Sequence, residues 1–336
     1  IKLINRHMLL KTPSSAVQNV PAPLHSIFHE NWWLNAATDG RYDIIEVTKD
    51  GRVVADLPLF TKKRFGLSRI TRPPYTRTLG PRLFLPPSKP FRRAQNIRNT
   101  IADLVQKLPA YDSLKLSLDP EDETPFAFSL CGFTIEQAFT FRIPVSVSPK
   151  DVWTNCDQKT RNLIRTADQK LTVEQDTNLS NYIRMSLVDQ PAANNSHDFS
   201  RMEKIFEACK QREQGCVMNA WDEAGKQVAS IVLVWDDKNC YFWQSARDRT
   251  TPIPGANMLL IWKSIEYANK KGLTFDFDSF ASVRAAKMIA SFGQSPIARP
   301  QVMHSSVLYK WERAANATLL KIKGSALQYC SKKKSI

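Results

Sequence analysis

The sequence predicts an α/β (α+β) protein made of two similar units in tandem. Three observations carry that expectation. The chain has 336 residues, and domains of about 150 residues are usual. One hairpin signature occurs twice, as Lys49-Asp50-Gly51-Arg52-Val53-Val54-Ala55 and Glu223-Ala224-Gly225-Lys226-Gln227-Val228-Ala229. The elements after each copy then follow in the same order, which is the mark of an internal repeat.

In the first half, Ile44 to Val47 and Val53 to Phe60 read as the strands of the hairpin. Asp50-Gly51 between them tolerates the positive φ that a tight turn requires. Val217 to Trp221 and Val228 to Trp235 are the counterparts. A Pro-rich loop follows each hairpin, at 71–81 and 249–255. Next comes an amphipathic helix. Phe91, Ile97, Ile101, Leu104, Val105 and Leu108 mark one apolar face, and Met258, Leu259, Trp262, Ile265 and Ala268 mark the other, each at helical spacing. Strands with period-two alternation are expected at Ser113 to Leu118 and Leu273 to Asp278. Short helices follow at Pro125 to Cys131 and Val283 to Phe292, stopped by Gly132 and Gly293. A final strand closes each half, Phe133 to Ile143 and Ile297 to Tyr309. The expected division is 1–147 and 148–336. Between the repeats, a basic helix spans Val152 to Ala167, a polar loop 189–198, and a helix Ser200 to Gln214.

The 47 Lys+Arg outnumber the 32 Asp+Glu, for a net charge of +15. A positive field of that size implies an anionic partner. From Arg52 to Arg98 twelve basic residues face one acid, Asp56, with Phe65, Tyr75 and Phe84 among them. The first unit is therefore the expected partner-binding or acceptor-binding unit. Its partners could be tRNA phosphates, a nucleotide-diphosphate or lipid-linked acceptor, or an anionic membrane. A second basic stretch runs from Arg313 through Lys321 and Lys323 to Lys332–Lys334. At 43% hydrophobic residues the chain is globular. No run approaches the roughly 18 apolar residues of a membrane span. The six cysteines form no CxxC and no zinc spacing. With no signal-peptide layout, the expectation is a cytoplasmic protein with reduced thiols, at most peripheral at the inner face of the cytoplasmic membrane. No metal site is expected.

The run Asp157-Gln-Lys-Thr-Arg161-Asn-Leu-Ile-Arg165-Thr-Ala167 resembles the K-x-R-x-x-x-R-x-A segment of the FemABX-like, GNAT-fold N-acyltransferases. Pro254-Gly255-Ala256-Asn257, Phe275-Asp276-Phe277, Lys287 with Phe292-Gly293, and Leu79-Gly80-Pro81 extend the resemblance over roughly residues 22 to 312. It implies tandem GNAT-like domains, each a mixed, mainly antiparallel sheet flanked by helices. It implies an acyltransferase acting on an amino group of a cell-envelope saccharide or peptidoglycan-type precursor, as in polysaccharide or wall biosynthesis. The donor would be acyl-CoA or aminoacyl-tRNA, taken as a substrate with no resident cofactor.

Candidate site residues follow. Lys287 would polarise the acyl carbonyl or hold a phosphate. Asp276 and Asp278 share a sheet face and would serve as base or amine site, or else pair with arginines as strand-end carboxylates. Arg161 and Arg165, four apart on a helix, suit a phosphate because guanidinium offers paired donors; a solvated basic face is the other reading. Arg247 faces the expected cleft. Gly255, Ala256 and Asn257 open a helix whose first N–H groups are free for an anion. Tyr75 and Arg77 complete the set from the first unit. The competing class is a non-catalytic module on a GNAT-like fold that binds tRNA, a nucleotide-sugar or anionic lipid.

Overall fold

The computed structural model describes residues 24–250, 253–278, 280 and 282–313. Ser279 and the basic residues from Lys321 onward lie outside the described residues.

After a 3-10 turn (Ile27–His29), the first half contains α1 (Asn31–Thr38), β1 (Asp43–Lys49), β2 (Arg52–Arg64), β3 (Leu67–Thr71), β4 (Arg82–Leu83), α2 (Pro90–Gln106), β5 (Ser113–Ser117), α3 (Pro125–Leu130), β6 (Thr134–Thr140) and β7 (Arg142–Ile143). The second contains α4 (Pro149–Asn155), α5 (Gln158–Asp168), β8 (Thr172–Asp176), α6 (Leu179–Asp189), α7 (Phe199–Lys210), β9 (Gly215–Trp221), β10 (Gln227–Trp235), β11 (Asn239–Arg247), α8 (Ala256–Lys270), β12 (Thr274–Asp276), α9 (Val283–Ala290) and β13 (Ile297–Ser305). The repeated order of hairpin, helix, strand, helix and strand is present in both halves.

The strands form two mixed, mainly antiparallel sheets flanked by helices. One has the order β1-β2-β3-β5-β13-β6, with β4 on β2; the other is β7-β12-β11-β10-β9-β8. The final strands do not close their own halves. β13 inserts between β5 and β6 of the first sheet, and β7 pairs with β12 at the edge of the second. The division at 147 therefore separates the sequence repeats but not the sheets. The N-terminal elements cross over as well. Ile27, Phe28, Trp33 and Ala37 are buried with Met185, Phe206 and Trp243 of the second half, and Asp236 Oδ2 accepts from the Ile27 N–H at 3.0 Å.

Three further elements differ from the sequence expectation. The basic helix is broken in two, because Cys156 is extended (ψ 141°) and Asp157 caps a new helix, accepting from the Thr160 N–H at 3.1 Å. β12 ends at Asp276, two residues early, where Asp278 takes φ 59°. The last strand stops at Ser305, and residues 307–313 are helical, with Ser306 Oγ accepting from the Tyr309 N–H at 3.2 Å.

Candidate active-site cleft at the start of α8

β11 and β12 run parallel but pair over only three positions, Asn239–Thr274, Cys240–Phe275 and Tyr241–Asp276. β11 continues to Arg247, whereas the chain beyond Asp276 turns away. The sheet opens there into a V. A cleft forms beside it, in two adjoining cavities of about 460 Å³ each. Its walls are the end of β11, the loop into α8 and the first turns of α8 and α9.

The cleft is cationic. Arg247, Arg249 and Arg284 all line it, and so do Gly255, Ala256 and Asn257 at the head of α8. Arg249 is paired with Asp189. Arg247 and Arg284 have no ion-pair partner among the described residues. The 15-residue α8 points its N-terminus at this space, adding the partial positive charge of a helix start. Asn257 and Met288 meet across it, Nδ2 to Sδ at 3.8 Å.

Gly255 fixes the geometry. It has φ 87°, and a Cβ there would overlap the Leu163 carbonyl of α5 and lie 3.2 Å from Ala167 Cβ. Only glycine lets α8 start this close to α5. The Ala167 end of the run 157–167 therefore has a packing role, and Leu163 lines the cleft.

Arg247, Gly255, Ala256 and Asn257 are thus brought together. The other sequence candidates lie elsewhere. Arg161 donates to the carbonyls of Trp153 (3.2 Å), Thr154 (3.1 Å) and Cys156, which terminates α4. A guanidinium spread over helix-end carbonyls satisfies orphan acceptors. Arg165 lies over the Trp153 ring at 5.3 Å. Neither lines the cleft. Lys287 is exposed on α9, whose cleft side presents Arg284, Ala285 and Met288.

Asp276 and Asp278 belong to a buried ion network between the halves. Asp276 accepts from Arg142 Nε (2.7 Å), Thr140 Oγ1 (2.7 Å) and the Asp278 N–H (2.7 Å). Arg142 also grips Asp119, with Nη1 to Oδ1 at 3.1 Å. Burial alone would lower the Arg142 pKa; the carboxylates of Asp276 and Asp119 outweigh it and raise it above the ordinary guanidinium value. Asp278 is clasped by Arg299 Nη1 at 2.7 Å and Arg77 Nη1 at 2.9 Å. Each aspartate is thus paired with at least one arginine, and the second oxygen of Asp276 is taken by the Thr140 hydroxyl and the Asp278 N–H. Arg77 also donates to the Trp243 carbonyl. The carbonyl of Tyr75 accepts from Trp243 Nε1 at 3.0 Å and its hydroxyl donates to the Asp198 carbonyl at 3.0 Å. Tyr75 and Arg77 thus dock the first half's loop onto β11 at the V.

Arg284 was not singled out from the sequence, although a signal exists. It lies in the first turn of a helix capped by Ser282, where a cation opposes the helix dipole. Such a local conflict often marks a functional position.

Residues 158–282 match the family model of the acetyltransferase (GNAT) domain. That stretch carries the V, the loop and α8. The whole chain is similar in fold to FemX (13% identity, 88% of this chain and 95% of that one, TM-score 0.62). It is also similar to the C-terminal domain of a protein from Agrobacterium fabrum assigned as a lysylphosphatidylglycerol synthetase (12% identity, 86% and 91%, TM-score 0.54). A conserved protein of unknown function from Bacteroides thetaiotaomicron is a third such neighbour (10% identity, 82% and 90%, TM-score 0.52). No curated protein matches the chain significantly. The second half thus matches an acetyltransferase (GNAT) domain, and the two halves together share the fold of FemX.

Proposed function

We propose that the protein is an N-acyltransferase that binds a phosphate-bearing activated donor, acyl-CoA or aminoacyl-tRNA, in the cleft at the head of α8. It passes the acyl group to an amino group of a cell-envelope saccharide or peptidoglycan-type precursor. One observation carries this reading: Arg247 and Arg284 face a cleft at a helix N-terminus without carboxylate partners. Unpaired guanidinium groups and free helical N–H groups together suit phosphate oxygens.

In the transfer, the amine nitrogen attacks the acyl carbonyl carbon. A tetrahedral oxyanion forms, the C–S bond of a thioester or the C–O bond of an aminoacyl ester breaks, and the amine loses a proton to solvent or a base. The chain's contribution is to hold donor phosphates on Arg247, Arg284 and the start of α8. The V leaves β11 backbone beyond Tyr241 without a β12 partner, and backbone groups at such an edge can align a donor amide in extended form. No side chain is assigned as the base. Arg77 sits across the V, so the first half delimits where an acceptor amine can approach.

The test is transfer from labelled acyl-CoA and from labelled aminoacyl-tRNA, each supplied separately with an amine-bearing muropeptide or aminosugar acceptor and read as amide product by mass spectrometry. Amide formation with one donor, reduced about tenfold or more in Arg284→Ala, supports the reading. Product formed equally well by Arg284→Ala would place the donor elsewhere.

A further inference from the structure

The first half carries an exposed surface that the cleft does not use. β2 and β3 form a hairpin whose last pair is Arg64–Leu67, turned by Phe65 (φ 51°) and Gly66 (φ 76°). Every residue from Thr61 to Gly66 is exposed. Beside it lies the helical segment 307–313. Arg69 of β3 ties the two together: its Nη2 lies 3.0 Å from Glu312 Oε1, and its guanidinium lies 5.0 Å from the Tyr309 ring centre. Arg69 in turn pairs with Lys62 across the hairpin.

Tyr309 and Glu312 are three apart and face the hairpin. Val307 and Trp311, four apart, fall on the other side of the helix, Leu308 lies on its flank, and all three are exposed. Four large apolar side chains are thus left in the open: Phe65 at 75% exposure, Trp311 at 72%, Val307 at 69% and Leu308 at 61%. Lys62, Lys63, Arg64, Lys310 and Arg313 are exposed around them, and none has an ion-pair partner among the described residues. The acid of this surface, Glu312, is held by Arg69.

We infer that the hairpin tip 62–66 and the segment 307–313 form a docking surface for an anionic lipid bilayer. Aromatic side chains at a protruding tip enter the headgroup boundary, while flanking lysines and arginines meet anionic headgroups. A base-paired polynucleotide would engage the cations but leave all four apolar side chains in water, and even unpaired bases, which stack on aromatic rings, would not cover Val307 and Leu308, so the pairing of apolar tip and basic rim favours lipid. The surface is independent of the transfer chemistry, and its test needs no turnover.

The test uses the full chain and sonicated vesicles of phosphatidylcholine with or without phosphatidylglycerol. The parent protein is expected to sediment with the phosphatidylglycerol vesicles and not with phosphatidylcholine alone. The double variant Phe65→Ser/Trp311→Ser, and separately Lys62→Glu/Lys63→Glu, should each weaken binding about tenfold or more. All four side chains are exposed, so the thermal midpoints should stay near the parent's. Brominated lipid should quench the parent's fluorescence more than that of Trp311→Phe, which keeps binding. Three results would overturn the proposal. One is absence of binding to phosphatidylglycerol vesicles. Another is parent-like binding by both variants. The third is loss of tRNA binding in these variants while vesicle binding is unchanged.

Discussion

The Arg77 guanidinium lies 2.9 Å from the Asp278 carboxylate, spanning the point where β11 and β12 separate. Arg77 comes from the loop before β4 and Asp278 from the turn after β12, so this pair joins the two halves beside the cleft. Asp278 is also held by Arg299 of β13, a strand that the second half lends to the first sheet.

Asp278→Asn leaves Arg77 and Arg299 facing each other without a counter-charge. Breaking a buried pair by removing one partner costs about 3–5 kcal/mol. Urea unfolding followed by tryptophan fluorescence should show a loss of that order. A loss under about 1 kcal/mol would mean that the pair is solvent-screened.

Gly255→Ala should also destabilise. The αL backbone costs an L-residue roughly 1–2 kcal/mol, and the added methyl overlaps the Leu163 carbonyl. Because α8 must shift, donor affinity should fall together with stability. Unchanged donor binding in a folded Gly255→Ala protein would show that the start of α8 is not part of the donor site.

Arg284→Ala and Lys287→Ala separate two sides of α9. Arg284 lines the cleft and Lys287 does not. Transfer should drop about tenfold or more in the first and stay within roughly threefold in the second, at the scale of a remote surface charge. Thermal midpoints should barely move in either. A larger loss in Lys287→Ala would restore that lysine to the chemistry.

Stability should depend on pH through two groups of opposite sign, the buried His29 and the half-buried Asp122. His29 donates from Nε2 to the Gly80 carbonyl (3.1 Å) and accepts at Nδ1 from the Ser26 N–H (3.3 Å), which fixes a neutral ring. Burial pushes its pKa down to about 3 from 6.5. Between those values the unfolded chain takes a proton that the folded one refuses. Stability from His29 is therefore present above pH 6.5 and lost as pH falls towards 3, by up to about 1.4 kcal/mol per unit. Asp122 is pushed up to about 6 from 3.8, chiefly by burial. It keeps a proton that the unfolded chain releases, so its contribution declines as pH rises through that window. His29→Gln should flatten the acid limb of the unfolding midpoint, and Asp122→Asn should steepen it. An unchanged profile in both would contradict the assigned protonation states.

The repeat was legible because hairpin turns, period-two strands and helical stripes are local patterns. Gly51 and Gly225 sit at positive φ in matching turns, as their sequence spacing implies. The exchange of β7 and β13 was not legible, since nothing in Ile297 to Ser305 says which sheet it will join. The site was readable in part. Arg247 and Gly255–Asn257 border the cleft because strand end, loop and helix start are contiguous in sequence. The roles of Asp276 and Asp278 depend on partners far along the chain, whereas Arg161 is spent on the nearby carbonyls of Trp153, Thr154 and Cys156. Asp276 meets Arg142 and Asp278 meets Arg77, and no local pattern distinguishes a carboxylate awaiting a substrate from one already held by an arginine. Motif spacing selected Lys287, whereas helical geometry turns Arg284 and Met288, four apart, into the cleft instead.

The most direct measurement is the affinity of the folded protein for acyl-CoA and for aminoacyl-tRNA, by titration at fixed low salt, in the parent and in Arg247→Ala/Arg284→Ala. One donor should bind the parent, and the double variant should bind it at least about tenfold more weakly, a difference of 1.4 kcal/mol or more, with an unchanged unfolding midpoint. Equal affinity in parent and variant, or no binding of either donor, would contradict a donor site at the head of α8.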